Sequence, residues 1–385
     1  MSPATLLALE LSPLLAQFGR VRYLDARTNI LLGTVMGMLL VAAIIGMALR
    51  RQPESTASPA VVRTFNRRVW AWWMMCAILA AGFLFGYVAT VVLFGLVSFW
   101  ALREFITMTP TRRGDHRTLF WSFIAFTPLQ YVLVGLGRDW YSVYTVMIPV
   151  YASLFVPARI AISGDPKRFL ERVAKIQAGL LICVYCLSHA PAILDLQLTT
   201  ADGERWVLGT ISTTASDDSA GAPTSPEPPA IGAPPTATVD PLLYGSNAGL
   251  LFFFVLIVQL NDVFQYMWGQ LLGRNVIAPQ INASRTWEGF IGGVLSTILV
   301  GILLSWATPF GVVWAGPVAG IVALAGFAGS MTMSGIKRDR NVKDYGTLVS
   351  GHAGVLDRID SVCFAAPVFF HLTRAFFSTD GMAIG

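Results

Sequence analysis

The sequence predicts an all-α polytopic integral membrane protein, with about ten transmembrane helices and a polar site at the cytoplasmic side. Three observations carry that expectation. The 385 residues are 55% hydrophobic and only 13% charged, where a soluble domain carries about 25% charge. Mean hydropathy is +0.61. Charged residues collect in short stretches between long apolar runs, the pattern of loops that flank membrane spans.

The same numbers exclude other classes. A net charge of +5 and a pI near 9.1 fit basic loops obeying the positive-inside rule and touching anionic lipid heads. Nucleic acid is not expected as a partner, because no basic module stands apart from the spans. Cys76, Cys183, Cys186 and Cys363 all sit in apolar runs, where cysteine is a small hydrophobe. The Cys183–Cys186 pair has C-x-x-C spacing but lies mid-span without a second pair. Residues 1–19 lack a basic n-region and read as a short amphipathic surface helix rather than a cleaved signal peptide.

In chain order, residues 30–49 form a first span stopped by Arg50 and Arg51, and a basic loop follows with Arg63, Arg67 and Arg68. Residues 69–101 carry no charge; two full spans need about 40 residues, so the stretch reads as a tight helical hairpin turning near Gly82–Gly86. These make an N-terminal membrane region, 1–117, which ends in the polar loop 103–117. A middle region, 118–194, holds spans at 118–135, 141–157 and 178–194, with a basic interfacial helix expected at 164–177. Residues 195–240 are rich in Ala, Pro, Ser and Thr. They hold too few large apolar groups for a core and are expected to be a disordered extracytoplasmic insertion. The C-terminal region, 241–385, carries spans at 241–260, 290–306, 313–333 and 361–377.

Orientation follows from counting cations. With the loop at 334–360 in the cytoplasm, the inside loops hold 21 of the 27 Lys and Arg residues. Arg20, Arg22, Arg27, Arg138, Arg205 and Arg374 stay outside. The opposite orientation reverses the bias.

Residues 334–360, SGIKRDRNVKDYGTLVSGHAGVLDRID, hold nine charged side chains, while 289–336 and 361–373 hold no Asp, Glu, Lys or Arg. A dense patch of both signs at a bilayer is costly unless it acts on something. Lys337, Arg338, Arg340 and Lys343 suit the oxygens of a triphosphate. Asp357 and Asp360, spaced i and i+3, share a helical face and can hold a divalent cation, while Arg358 points elsewhere. Gly346, Gly351 and Gly354 allow close backbone approach, and His352 among them can hydrogen-bond a phosphate. Upstream, Asp262 offers a third metal ligand, with Asp344 as the alternative, and Tyr266 can pack on a base. Arg285 and Glu288 flank Trp287 at the start of a span. The plainer readings are an interfacial loop whose charges pair with each other, a snorkelling Asp262, an interface-anchoring Tyr266 and a dipole-partnering Glu288.

The segment resembles the signature of the phosphatidate cytidylyltransferases, also called CDP-diacylglycerol synthases: S-x-apolar-K-R, four residues, K-D, a small residue, then H-G-G-apolar-x-D-R-apolar-D. Ser334, Lys337, Arg338, Lys343, Asp344, Gly346, His352, Gly354, Asp357, Arg358 and Asp360 match in register. Asp262, the Tyr266-Met267-Trp268-Gly269 run and residues 286–293 resemble the preceding block, so the likeness is clear over 261–367 and loose upstream. Four positions depart: Ala353 replaces a glycine, Val349-Ser350 replaces an apolar–proline pair, and Arg285 stands where a lysine is usual. The 195–240 insertion is also atypical.

The resemblance implies an all-helical nucleotidyltransferase of a bacterial-type cytoplasmic (inner) membrane. It would take CTP and phosphatidic acid, or a related lipid phosphate, among membrane lipids and release CDP-diacylglycerol and pyrophosphate in phospholipid biosynthesis. It implies Mg²⁺, a second cation being left open, held by Asp262, Asp357 and Asp360. Catalytic roles fall to Lys337, Arg338, Lys343, Asp344, His352 and Arg358, and substrate binding to Ser334, Gly346, Gly354, Arg285 and Tyr266. A homodimer is left open. The rival readings are a cytidylyltransferase for another lipid phosphate and a non-enzymatic membrane protein that kept the fold; the intact aspartates speak against the latter. The charge count generates a first prediction. A cysteine introduced within 214–238 is labelled by an impermeant reagent from outside, and one near Asn341 is not; reversed labelling overturns the orientation.

Overall fold

The computed structural model describes residues 24, 26–50, 59–108, 112–199, 206, 241–342 and 354–379. Among them, helical segments that continue one another form ten rods. They are α1 (Ala26–Arg50), α2 (Pro59–Phe85), α3 (Tyr87–Thr107), α4 (His116–Gly135), α5 (Arg138–Ala161), α6 (Phe169–Asp195), α7 (Pro241–Leu272), α8 (Trp287–Leu303), α9 (Gly311–Asp339) and α10 (Leu356–Phe377). Between α7 and α8 lies a hairpin of β1 (Val276–Ala278) and β2 (Asn282–Thr286), paired antiparallel. α1, α3, α4, α5, α6, α7 and α9 are long and apolar enough to cross a membrane, and Trp72–Phe85 and α8 are shorter apolar helices. The chain is an integral membrane protein built of helices.

The expected turn near Gly82–Gly86 falls at Gly86, whose φ of +96° suits glycine. The hairpin is less tight than expected, because α2 begins at Pro59, inside the basic stretch. Long basic side chains at a helix end can snorkel while the backbone stays helical. The helix expected at 164–177 begins at Phe169 and runs on without a break into the rest of α6. Its Arg172 is pulled inward rather than laid on the surface: the guanidinium lies 2.6 Å from Asp115 Oδ1, with the two side chains 4% and 3% exposed.

Polar side chains join the apolar rods. Ser98 of α3 donates to the Cys183 carbonyl of α6 at 2.7 Å. Gln130 of α4 donates to Ser188 Oγ of α6 and to the Tyr144 carbonyl of α5. Where no water competes, such bonds hold helices together. Phe253, Phe254, Phe310, Phe369 and Phe370 are fully buried, and Phe254 stacks on Phe369 with ring centroids 4.9 Å apart.

The first residues of the insertion expected at 195–240 are packed on the helices. Asn247 of α7 donates to the carbonyls of Leu194 and Leu196. Thr199 N–H bonds the Phe377 carbonyl, and the buried Trp206 bonds back to Leu198. These residues therefore belong to the folded body; 200–205 and 207–240 lie outside the described residues, as do 1–23.

The two ends of the bundle differ. One holds Arg27, whose guanidinium bonds the Trp306 carbonyl, and Arg374, stacked 3.4 Å from the Tyr141 ring centre. The other gathers Asp115, Asp165, Glu171, Arg172 and Arg340 together with the aspartates of α7 and α10. Removing one partner of a buried ion pair strands the other, at a cost of about 3–5 kcal/mol. Arg172 keeps Asp165 at 3.5 Å after Asp115→Ala, so the expected loss of unfolding stability in detergent is smaller, about 1–3 kcal/mol, and a loss under about 1 kcal/mol would mean that Asp165 compensates Arg172 in full.

Candidate active site

Close helix packing sets the frame. An added Cβ at Gly293 of α8 would lie within 3.0 Å of the Gln265 backbone of α7, and one at Gly329 of α9 within 2.9 Å of the Asp360 carbonyl of α10. Small residues at both positions let α7, α8, α9 and α10 approach. At the end of this four-helix group, α7 presents Asp262 and Gln265 on one face, α9 presents Ser330, Ser334 and Lys337 at helical spacing, and α10 presents Asp357 and Asp360.

The hairpin lays Arg285 into this group. Its Nη2 donates to Asp262 Oδ1 at 2.8 Å and to Ser330 Oγ at 2.9 Å, and its Nη1 donates to Gln265 Oε1 at 2.7 Å. The other Asp262 oxygen accepts from Ser361 Oγ at 2.6 Å. Ser361 Oγ also lies 3.4 Å from Asp360 Oδ1, which accepts the Ser361 N–H at 2.7 Å. Asp262 and Asp360, from two helices, thus meet at one hydroxyl.

The i, i+3 aspartate pair is split. Asp357 Oδ1 takes the Lys337 ammonium at 2.8 Å, with the Asp357 side chain 8% exposed. Its Oδ2 accepts the Gly354 N–H at 3.2 Å. Asp360 lies beside Asp262, and Asp357 lies beside Lys337. The reason is tertiary: α9 brings Lys337 to the first turn of α10, and an opposite charge at that distance claims the carboxylate.

The remaining expected residues are placed as follows. Ser334 is buried and accepts from Asn282 of β2 at 3.2 Å. Arg338 Nε donates to the Ile281 carbonyl, binding α9 to the hairpin, and Arg340 lies 3.4 Å from Glu171 of α6. The Arg358 carbonyl accepts from Gln259 of α7, and among the described residues its guanidinium has no ion-pair partner. Tyr266 is 41% exposed at the edge of the group. Lys343, Asp344, Gly346 and His352 lie outside the described residues.

Sequence reasoning missed Gln265, Ser330, Ser361 and Glu104. Gln265 stands one turn from Asp262 and Ser361 is next to Asp360, so proximity to the aspartates was the available signal. Glu104 of α3 is buried at 5% exposure and accepts the N–H groups of Val355 and Leu356; its single charge at a span end carried no such signal.

The oxygen donors fit Mg²⁺ in kind. Among the described residues no three Asp, Glu, His or Cys side chains are grouped to hold a metal. Mg²⁺, however, is commonly held by one or two carboxylates, with waters and substrate phosphates completing the shell. Asp262 and Asp360 supply such a pair.

The hairpin is itself pinned. Glu288 accepts from the N–H groups of Arg274 and Asn275 and from the Asn275 amide. Its own backbone N–H, then those of Arg274 and Asn275, pull its carboxyl down to about 2. The folded pKa is depressed, so this clamp is fully present above the usual Glu value of about 4.3 and is lost only as pH falls toward about 2. The stability difference between the wild type and Glu288→Gln is expected to stay constant from about pH 5 to 8 and to shrink below about pH 4. A difference that changes across neutral pH would show that Glu288 is not held as a carboxylate.

The sequence profile of the cytidylyltransferase family matches residues 66–376. The chain is 29% identical over 345 residues to the uncharacterized protein YnbB of Escherichia coli (strain K12), covering 89% of this chain and 97% of that one. It is 34% identical over 134 residues to a phosphatidate cytidylyltransferase of Rickettsia bellii (strain RML369-C), covering 33% of this chain and 58% of that one. A phosphatidate cytidylyltransferase of Staphylococcus haemolyticus (strain JCSC1435) is 35% identical over 120 residues, 31% of this chain and 46% of that protein. The match thus spans about half the length of these two enzymes.

Proposed function

The chain belongs to the cytidylyltransferase family, and we propose that it is a phosphatidate cytidylyltransferase, converting CTP and phosphatidic acid to CDP-diacylglycerol and pyrophosphate at the cytoplasmic side of a bacterial-type inner membrane. The observation that carries this reading is the meeting of Asp262, Arg285, Ser361 and Asp360 beside Lys337 and Asp357. It is a site of carboxylates and cations at one end of a membrane bundle, suited to a polyphosphate and an anionic lipid together.

In the proposed reaction an oxygen of the lipid phosphate attacks the α-phosphorus of CTP. The bond to the β-phosphate breaks, and pyrophosphate leaves with its electron pair. The attacking group is already anionic, so no strong base is required, and positioning and charge stabilisation do most of the work. Mg²⁺, when held by Asp262 and Asp360 with Asp357 as the third carboxylate, would neutralise phosphate charge. Arg285 holds Asp262 by one oxygen and leaves its carboxylate aimed toward Ser361 and Asp360. Lys337 is the cation set to meet the leaving pyrophosphate, with Arg338, Lys343 and Arg358 as further cations and Asp344 and His352 as polar partners of the substrates. Ser334, Gly346, Gly354 and Tyr266 would line the nucleotide and headgroup.

A second reading, a cytidylyltransferase for a different lipid phosphate, is favoured by one observation. Likeness along nearly the whole chain is to a protein whose name assigns no substrate, while likeness to the phosphatidate enzymes covers about a third of it. Radiolabelled CTP and Mg²⁺ with a panel of lipid phosphates decides between them. CDP-diacylglycerol as the main product is expected, and a CDP-lipid formed only from another acceptor supports the second reading. Asp262→Asn and Asp360→Asn are each expected to lower kcat by about two orders of magnitude at normal expression, and near-normal turnover in both would remove them from the chemistry.

A further inference from the structure

We propose that Glu104 is a positioning residue for the proposed reaction: from α3 it caps the N-terminus of α10 and so fixes the turn that carries Asp357 and Asp360. The inference rests on the reaction proposed above, but its physical basis is separate. Glu104 Oε1 accepts from Val355 N–H at 3.1 Å, and Oε2 accepts from Leu356 N–H at 2.8 Å. Both of its oxygens are therefore spent on the first backbone donors of one helix. Those donors have no partner within the helix, and the positive end of the helix dipole favours a carboxylate there.

Three further facts make the contact more than a local cap. Glu104 is 5% exposed at the end of an apolar helix, and an acid held there is costly without a purpose. Among the described residues no Lys or Arg lies in ion-pair range of it; the neighbouring Arg103 is turned onto the Trp100 ring. The helix terminus is thus the compensation the carboxylate receives. Finally, the capped turn is the one whose next residue, Asp357, binds Gly354 N–H and Lys337, and Asp360 follows one turn later beside Ser361 and Asp262.

The contact also joins separate parts of the chain, because Glu104 and Val355 are 251 positions apart. Glu171 of α6 also lies 3.4 Å from Arg340, just past α9, but its short ion pair is with Lys175 at 2.6 Å. The cap by Glu104 is thus what ties the upstream α3 to the start of α10.

The test uses the full-length protein in lipid nanodiscs. Glu104→Gln keeps the shape but replaces one acceptor by an NH₂ group that faces an N–H donor. The expected result is a kcat lower by about 10- to 100-fold, as for the loss of a residue that orients a ligand, with the KM for CTP changed by less than about threefold. Half-saturating Mg²⁺ should rise, and amide exchange over 354–358 should accelerate while exchange in α4 and α5 stays as in the wild type. A merely structural role would instead lower the folded fraction and leave the KM, the Mg²⁺ response and local exchange of the folded molecules unchanged, and that result overturns the proposal.

Val355→Pro removes one of the two donors at a backbone φ of −61° that proline adopts. It is expected to reproduce part of the defect and to add little on top of Glu104→Gln. Full additivity overturns the proposal, and Val355→Pro carries the test alone should Glu104→Gln not fold. A wild-type protein inactive with every lipid phosphate would refute the cytidylyltransferase reaction. Accelerated exchange at 354–358 in the variants would still report the cap, so the two failures are distinguishable.

Discussion

At the site end of α7 the Asp262 carboxylate meets the Arg285 guanidinium at 2.8 Å, and the same guanidinium reaches Gln265 and Ser330. This fork ties three elements: α7, the β-hairpin that follows it, and α9. The side chains of the pair are 16% and 26% exposed, so water screens them only in part and each charge depends on the other. An arginine can do this where a lysine cannot, because its planar head offers several donors in fixed directions. The arginine in place of the family's lysine is therefore consistent with a structural duty added at this position.

That charge geometry depends in turn on apolar packing. Gly293 lets α8 close on the Gln265 backbone, and Gly329 lets α9 close on the Asp360 carbonyl. A methyl group at Gly329 would push α10 away from α9 and with it move Asp360 relative to Asp262. Membrane helices gain no hydrophobic drive from meeting each other, so small residues and interhelical hydrogen bonds carry the association. Asn261, which donates to the Ala323 carbonyl and sits next to Asp262, is one such bond. Site and scaffold thus share neighbouring residues on α7.

Much of this was legible in the amino-acid order. Each stretch expected to span is helical, the break at Gly86 follows from a glycine within an uncharged run, and the aspartates and Lys337 do gather. Spacing could not say which charges pair. It put Asp357 and Asp360 on one face, correctly, but the register of α9 gives Asp357 to Lys337. It set Arg285 out as a cation for substrate, while a five-residue strand aims its fork at α7. Glu104 was illegible for a plain reason: a lone acid at a span end looks like a loop charge until the distant helix that it caps is known. The partner of Arg172 was illegible as well, because a basic amphipathic segment reads the same whether its cations face a membrane surface or a buried Asp115.

The two scales of similarity then acquire a physical sense. Likeness to the phosphatidate cytidylyltransferases covers about a third of the chain, and the carboxylate that caps the start of α10, Glu104, comes from the upstream α3. The groups that would meet phosphates sit on the downstream helices, and their placement is held from upstream. A nucleotide and a metal ask the same of any such site, so those groups can stay alike across acceptors. In the proposed reaction the hydrocarbon part of a lipid acceptor would instead lie beside apolar helix faces, which offer little angular specificity. On the proposed reaction, upstream helices can therefore change with the acceptor provided that Glu104 keeps reaching the start of α10, which couples the choice of lipid to the geometry of the aspartates without any upstream residue touching the reacting phosphorus.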